Sequence, residues 1–266
     1  MSLTVEVKGV NFINKGAELM MQSIRKEVLK KFPEATVCMN LRSGSPKKIR
    51  EAGFSVIPYY FSKKYGLINV FLNICSAIIP GFLRRKWKLV RLGEIDLILD
   101  ASGFTYSDQW GYESMEVMHA YYKKMRQQGK KVVFMPQAFG PFEKPKSSHY
   151  SKLMFSEADL IFVRDKVSLD YVKKVTDSAA LKPEPHPDFT NLLKVERSGK
   201  FKSYEGKVCL IPNYRMIDKG LGDVYFKFLS NCVKVLEANN MSFFFLIHET
   251  DNERIFVRLM NEKEKA

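Results

Sequence analysis

Short apolar runs that end abruptly in polar or turn-forming residues recur along the chain. Two of them, residues 132–135 and 160–163, are separated by a segment with room for a helix. Apolar runs of this length and spacing are typical of parallel strands that are buried on both faces of a sheet. The polar residues that follow, among them Gln137 and Arg164, then lie at the carboxyl ends of neighbouring strands. In open α/β sheets that edge is where ligands bind.

The same order of strand, polar loop and helix is repeated along the rest of the chain. The patterns predict further strands at 4–10, 35–40, 54–58, 94–99, 207–212 and 242–247, and helices at 17–32, 46–52, 113–128, 166–175 and 221–239. We therefore predict an α/β protein with a Rossmann-like parallel sheet domain over residues 1–188 and a linker over 189–206. An incomplete second Rossmann-like domain follows over 207–266, because two strands are fewer than an independent domain usually has.

The loop after the first predicted strand is rich in asparagine and glycine. Asn14 and Gly16 precede a helix, whose free backbone N–H groups and partial positive charge suit a phosphate or carboxylate. The alternative is a tight turn in which Asn14 caps the helix and Gly16 allows close packing. The spacing is not GxGxxG, so a dinucleotide fingerprint is not predicted.

The loop after residues 94–99 carries many donors and acceptors, including Ser102, Gly103 and Asp108. Such a loop could hold a polyhydroxylated ligand, or its side chains could form Asx and Ser turns that satisfy its own backbone. Its position at the carboxyl edge of the sheet favours the ligand.

The segment around the strand at 160–163 supplies three further candidates. His149 lies in a basic, serine-rich stretch, where a single histidine is more often a surface residue than an acid or base. Arg164 could hold a carboxylate or phosphate with its planar guanidinium, or it could pair with a neighbouring carboxylate as a structural tie. Ser168 falls in the first turn of the helix that follows.

Residues 65–91 form an apolar stretch that ends in a basic segment containing Trp87. The stretch is shorter than the roughly 20 apolar residues that span a bilayer. An apolar patch beside basic residues and a tryptophan meets the requirements of a membrane-surface contact. A helix that covers the sheet with its basic end in water is the alternative, and both descriptions can apply to one helix.

The composition narrows the cellular context and the class of partner. The formal net charge of +14 indicates a phosphorylated substrate, an anionic membrane or nucleic acid, with a solvated lysine-rich surface as the alternative. No aromatic and basic RNA signature supports a nucleic-acid partner. The four cysteines form no CxxC or Cys/His cluster, which argues against a zinc site and suits a reducing cytoplasm. The N-terminus lacks the pattern of a signal peptide.

Seven motifs, taken in order, resemble the polysaccharide pyruvyl transferase family. They are NKGAELM at 14–20, LDASGFTYSD at 99–108, MPQAFGPF at 135–142, ADLIFVRDKVS at 158–168, PDF at 187–189, IPNYR at 211–215 and LIHETD at 246–251. The resemblance extends over essentially the whole chain. It implies a fold like that of GT-B glycosyltransferases, with the active site between two Rossmann-like halves.

The resemblance also implies a reaction. Family members move an enolpyruvyl unit from phosphoenolpyruvate onto two hydroxyls of a sugar, which forms a cyclic pyruvate ketal during surface polysaccharide synthesis. This transfer needs cations for the donor, an acid for its methylene carbon and a base for the sugar hydroxyls. No metal or organic cofactor is expected. Family members typically continue past the position of Ala266 with an R-x-H-like segment, so a fragment, a truncated gene product and one part of a split enzyme are the alternatives for this chain.

The resemblance assigns expected roles to individual residues. Asn14, Gly16 and Glu18 would lie at the first loop, Ser102, Gly103 and Asp108 at the acceptor side, and Gln137, Arg164 and Ser168 along the cleft, with Asn213 and His248 in the C-terminal half. Arg164 and His149 are the expected catalytic residues, His149 as the acid or base. We expect a cytoplasmic enzyme, peripheral at the inner face of the membrane, that acts on a sugar or lipid-linked saccharide. The alternatives are a GT-B glycosyltransferase that uses a nucleotide sugar and a non-catalytic saccharide-binding or scaffold protein.

Overall fold

The computed structural model describes residues 2–59, 71–72, 75, 78–176, 181–194, 199–213 and 216–247. The chain divides into two compact units. We call residues 1–12 with 17–193 the sheet unit, and residues 13–16 with 194–266 the C-terminal unit. His248 and the rest of the 246–251 motif beyond residue 247 lie outside the described residues. So do residues 60–70, 73–74 and 76–77, which include most of the predicted apolar stretch.

The sheet unit alternates strands and helices along the chain. Its strands are β1 (Thr4–Lys8), β2 (Thr36–Asn40), β3 (Ser55–Ile57), β4 (Leu97–Asp100), β5 (Lys131–Gln137), β6 (Leu160–Val163) and β7 (Glu184–Pro185). The helices that precede or connect them are α1 (Lys15–Lys31), α2 (Pro46–Glu51), α3 (Gly81–Lys86), α4 (Glu113–Gln127), α5 (Pro145–Ser156) and α6 (Lys166–Val175).

The seven strands form one parallel sheet in the order β3-β2-β1-β4-β5-β6-β7. The chain builds outward from β1 through β2 to β3 and then returns to place β4 on the other side of β1. The strand order therefore reverses between β1 and β4, and such a switch point opens a crevice at the carboxyl ends of the two strands. The predicted parallel α/β architecture is confirmed.

Two apolar clusters cover the two faces of the sheet. Val5 and Val7 of β1 lie in one cluster with Met21 and Ile24 of α1. The opposite cluster includes Ile98 of β4 and several side chains of α4. Because side chains alternate along a strand, Glu6 and Lys8 point away from Val5 and Val7. All five residues of β1 are buried, so these two charges are buried as well.

The C-terminal unit has a small core of its own. Strands β8 (Val208–Leu210) and β9 (Phe243–Phe245) are parallel, and α7 (Gly222–Ala238) connects them after a short π-helical turn at Ile217–Leu221. Phe226 and Leu229 of α7 are buried in this core, with Phe245 packed against them. The strand, helix, strand order predicted for this region is confirmed within the described residues.

Two strand boundaries differ from the prediction for identifiable local reasons, and one strand was not predicted. β1 ends at Lys8 rather than at residue 10, because Gly9 turns the chain with φ of +77°. β4 begins at Leu97 rather than at residue 94, because Leu92–Glu94 form a 3₁₀ turn in which the Glu94 carboxylate accepts the Arg91 N–H at 2.9 Å. The two-residue β7 was not predicted, since its proline-spaced sequence does not alternate.

Candidate functional site

A cavity of about 180 Å³ opens at the carboxyl edge of the sheet. Its lining comes from the end of β1 and the loop after it (Lys8, Gly9, Val10, Asn11), from β2 and its loop (Asn40, Arg42, Ser43), from the loop after β4 (Ser102, Thr105, Tyr106) and from α4 (Ser114, Met118). The cavity thus lies at the β1/β4 switch point, where this topology creates a crevice.

The two loops at the switch point approach each other closely because residue 9 is a glycine. A Cβ built on Gly9 would lie 2.0 Å from Ser102 Oγ and 2.4 Å from Ser102 Cα. The positive φ of Gly9 also belongs to a conformation that L-residues with side chains rarely adopt. The β1 and β4 loops can therefore lie this close together only because residue 9 has no side chain.

Lys8 is one of the residues that line the cavity, and its side chain is 3% exposed. Its Nζ is 3.6 Å from Glu6 Oε1 and 4.0 Å from the centre of the Tyr121 ring. Burial lowers the pKa of Lys8 to about 8, although the charges of Glu6 and Asp100 act in the opposite direction. An amine with this pKa exchanges protons near neutral pH.

Glu6 is fully buried and accepts two neutral donors besides its ion pair with Lys8. Its Oε2 accepts the Tyr121 hydroxyl at 2.5 Å, and its Oε1 accepts the Asn40 amide at 3.2 Å. Burial raises the pKa of Tyr121 well above its usual range, and the Glu6 charge raises it further. The phenol therefore remains a hydrogen-bond donor to this carboxylate.

Asp100 is the second buried carboxylate and joins four parts of the fold. Oδ2 accepts the hydroxyls of Tyr106, at 2.6 Å, and of Tyr122. Oδ1 accepts the Ser102 N–H at 3.0 Å and the Gln137 amide at 3.3 Å. Burial raises the pKa values of both tyrosines well above the usual range, and the Asp100 charge adds to this effect. Asp100 thus connects β4, the loop after it, α4 and β5.

Neutral hydroxyls form much of the cavity wall. Ser102 Oγ donates to the Tyr106 hydroxyl at 3.2 Å, and Thr105 Oγ1 donates to the Ser102 carbonyl at 2.8 Å. Ser114 Oγ is buried and has no hydrogen-bond partner among the described residues. A ligand hydroxyl could therefore bond to Ser114 without displacing an existing contact.

Gln137, Asp108 and Ser168 make internal contacts at the carboxyl edge of the sheet. Gln137 is fully buried and donates to Asp100. The Asp108 carboxylate accepts the Glu143 N–H at 2.7 Å, which ties the loop to the segment before α5. Ser168 Oγ accepts the Phe139 N–H at 3.0 Å and is 2% exposed. Their roles in binding substrate stay predictions.

Arg164 and His149 lie elsewhere on the sheet unit. The Arg164 guanidinium is 3.7 Å from Asp188 Oδ2, which corresponds to the structural tie that was its alternative. His149 is exposed on α5, with its ring centre 5.1 Å from that of Tyr150. Neither residue lines the cavity, and their catalytic roles stay predictions.

The remaining predicted site residues are distributed over both units. In the C-terminal unit, Asn14 Oδ1 accepts the Gly16 N–H at 2.7 Å, and the Asn213 N–H donates to the Tyr225 hydroxyl at 2.8 Å. In the sheet unit, Glu18 is partly exposed on α1, and Gly103 has φ of +71°. Of all the predicted site residues that the structure describes, Ser102 is the one that lines the cavity.

The prediction missed Lys8, Asn40 and Arg42 as site residues. The signal in the sequence was a lysine near the end of the first predicted strand. A buried lysine is rare and is usually paired with another charge, so Lys8 could have been proposed as a site residue. Within the described residues, no group of three or more His, Cys, Asp or Glu side chains is arranged to hold a metal ion.

Two solved structures superimpose on most of this chain. A protein assigned as a UDP-N-acetylglucosamine 2-epimerase from Listeria monocytogenes superimposes with a TM-score of 0.53 and 11% identity, over 98% of this chain and 66% of that chain. Anabaena HepE in complex with UDP gives a TM-score of 0.47 and 14% identity, over 94% of this chain and 70% of that one. This chain thus spans just under two thirds of the epimerase's length. The first likeness confirms the predicted GT-B-like fold class.

No curated protein matches the sequence significantly. Residues 14–265 match the model of one protein family, which is described as polysaccharide pyruvyl transferase. The match covers nearly the whole chain and includes every motif on which the resemblance was based. The chain belongs to the polysaccharide pyruvyl transferase family.

Proposed function

We propose that this protein transfers the enolpyruvyl unit of phosphoenolpyruvate to a sugar of a polysaccharide or lipid-linked saccharide and forms a cyclic pyruvate ketal. The observation that carries the proposal is the family match over residues 14–265. A polar cavity at the β1/β4 switch point, where open α/β sheets bind ligands, supports it.

The chemistry divides into two additions at one carbon. A proton adds to the C3 methylene of the donor, and the first sugar hydroxyl adds to C2 while a base takes its proton. The second hydroxyl then attacks C2 and gives its proton to a base, the C–O bond to phosphate breaks, and inorganic phosphate leaves. The products are the ketal, with a new methyl group, and phosphate. The protein must therefore supply an acid, a base and donors for the anionic groups.

The proposed function predicts phosphate release that depends on the acceptor. We expect the full-length gene product, incubated with phosphoenolpyruvate and a panel of saccharides, to release phosphate with at least one of them. The saccharide product should gain the mass of a pyruvate ketal and a new methyl resonance. Phosphate release without an acceptor, or glycosyl transfer from a nucleotide sugar in place of this reaction, would contradict the proposal.

We further propose a cytoplasmic location with peripheral contact to the inner membrane face. Among the described residues, no helix combines the length and the apolar character that a membrane span requires. The support comes from α3 and the residues next to it, where Phe82 and Trp87 are 63% and 45% exposed. Arg85 and Lys86 are exposed beside them. Aromatic side chains next to cations are typical of proteins that bind anionic lipid surfaces.

Membrane contact through α3 predicts a specific loss of vesicle binding. Each cation near an anionic surface contributes about 1 kcal/mol, so Arg85→Gln with Lys86→Gln should weaken binding to phosphatidylglycerol vesicles roughly thirtyfold. Co-sedimentation measures the effect. The matched control is Lys123→Gln with Lys124→Gln, which removes two exposed cations from α4. Equal losses in both double variants would reject α3 as the contact.

A further inference from the structure

We propose that the switch-point cavity binds one sugar ring of the acceptor and that Lys8 takes the proton from the hydroxyl that attacks the donor. The inference rests on the proposed function, because it assigns a substrate and a proton acceptor within that reaction. It is carried by the size of the cavity, by the charges around it and by the presence of Lys8 in its lining.

The volume of the cavity limits its ligand. The cavity volume is about 180 Å³. Pockets for drug-sized molecules usually have about 300–1,000 Å³. The cavity is therefore smaller than a usual pocket for a drug-sized molecule, and we assign a single saccharide ring to it.

The charges around the cavity favour a neutral ligand. Two cations, Lys8 and Arg42, line it. Two buried carboxylates, Glu6 and Asp100, lie close enough to Lys8 to influence its pKa. These four charges balance when Lys8 is protonated and are net negative when it is neutral, so in neither state does the cluster have an excess of positive charge to bind a phosphate.

The uncharged groups of the wall match the hydroxyls of a sugar. Ser102, Thr105 and Ser114 present hydroxyl groups that can both donate and accept. The Ser114 hydroxyl is buried and has no hydrogen-bond partner among the described side chains and backbone. A sugar hydroxyl at this point would satisfy it, which gives the cavity a second, independent indication of a polar ligand.

Lys8 is the group of this cavity that is suited to accept a proton. Glu6 already accepts the Tyr121 hydroxyl and the Asn40 amide, and Asp100 already accepts two phenols. The groups that face Lys8 come from several elements: Glu6 from β1, Asp100 from β4, Arg42 from the loop after β2, and Tyr121 from α4. Burial outweighs the two carboxylates and brings the pKa of Lys8 to about 8. The neutral amine is therefore present near physiological pH.

The proposed step is balanced in atoms and charge. The lone pair of the neutral Lys8 amine takes the hydroxyl proton as the sugar oxygen forms its bond to C2 of the protonated donor. Lys8 becomes an ammonium ion, which Glu6 and Asp100 stabilise. It returns the proton to solvent before the next addition.

A pH profile tests the proton transfer. In the full-length protein, kcat/KM for the acceptor should rise with pH and level off above about 8, because the neutral fraction of Lys8 then approaches one. Lys8→Met should lower kcat by about 10²–10⁴-fold, the usual contribution of a general base, with little change in saccharide affinity. Lys124→Met on the exposed face of α4 is the matched control and should retain activity. An active Lys8→Met variant with an unchanged pH profile would overturn the assignment.

A second variant and a binding measurement separate this inference from a folding defect and from failure of the proposed function. Lys8→Met with Glu6→Gln removes both charges of the buried pair, so circular dichroism should report a folded protein that is still inactive. In wild type, a methyl hexopyranoside should shift the Lys8 ¹⁵Nζ resonance more than inorganic phosphate does. A larger shift with phosphate, or no shift with any glycoside, would reject the sugar site. A glycoside shift without turnover would retain the sugar site and reject both the transfer reaction and the role of Lys8 as base.

Discussion

Replacing Asp100 by alanine is expected to destabilise the sheet unit by about 3–5 kcal/mol. Asp100 is fully buried, and its carboxylate accepts hydrogen bonds from the hydroxyls of Tyr106 and Tyr122, the Ser102 N–H and the Gln137 amide. Alanine would leave these donors buried without their acceptor. Each orphaned donor costs free energy, and the cavity left by the carboxylate allows partial relaxation at best.

Urea denaturation followed by circular dichroism measures this loss. Asp100→Asn provides a graded comparison, because its side-chain oxygen still accepts while its NH₂ group meets donors, so we expect a smaller loss than with alanine. Asp170→Ala on the exposed face of α6 is the control for removing a carboxylate, and it should change the free energy of unfolding by less than about 0.5 kcal/mol. Similar values for Asp100→Ala and Asp170→Ala would show that the Asp100 network does not stabilise the fold.

The parallel sheet could be predicted because its central strands are continuous apolar runs. Strands buried on both faces have no solvent-facing side, so residues 97–100, 131–135 and 160–163 contain few polar positions. The short β7 could not be predicted in the same way. It has two exposed residues and contributes little to the core, so its pairing with β6 depends on backbone hydrogen bonds.

The edge that carries the candidate site could also be predicted, but the direction of individual side chains could not. Gln137 and Asp100 both end apolar strands, and both point into the protein, where each helps to satisfy the other. The Asp108 carboxylate accepts a hydrogen bond from the backbone N–H of Glu143. A polar residue at a strand end is equally compatible with an inward and an outward direction, and the sequence does not distinguish them.

Lys8, in contrast, lines the cavity although it was not predicted as a site residue. A lysine at the end of a strand is usually a solvated residue, and its burial depends on partners that are distant in sequence. Tyr121 lies 115 residues from Glu6, and its hydroxyl bonds to that carboxylate, which pairs with Lys8. The packing of α4 over β1 therefore makes Lys8 a cavity residue, and no local pattern around β1 contains that information.

Gly9→Ala is expected to destabilise the sheet unit by about 2–5 kcal/mol. The substitution has two costs, because alanine at φ of +77° loses about 1–2 kcal/mol and overpacking adds about 1–3 kcal/mol. Overpacking follows because the new Cβ would lie 2.0 Å from Ser102 Oγ and 2.4 Å from Ser102 Cα. The second distance involves backbone, so a side-chain rotation cannot relieve it. The loop after β4 must move, and the cavity wall moves with it.

Gly129→Ala separates the two costs. Gly129 has φ of +76°, nearly that of Gly9, and among the described residues no heavy atom lies within 4 Å of the position that a Cβ would take there. It should therefore show the conformational cost of about 1–2 kcal/mol and retain saccharide binding. Calorimetry on both variants measures the difference in unfolding, and glycoside titration measures the effect on the cavity. If Gly9→Ala matches Gly129→Ala in stability and still binds the glycoside as wild type does, then the close approach of the β1 and β4 loops does not shape the cavity.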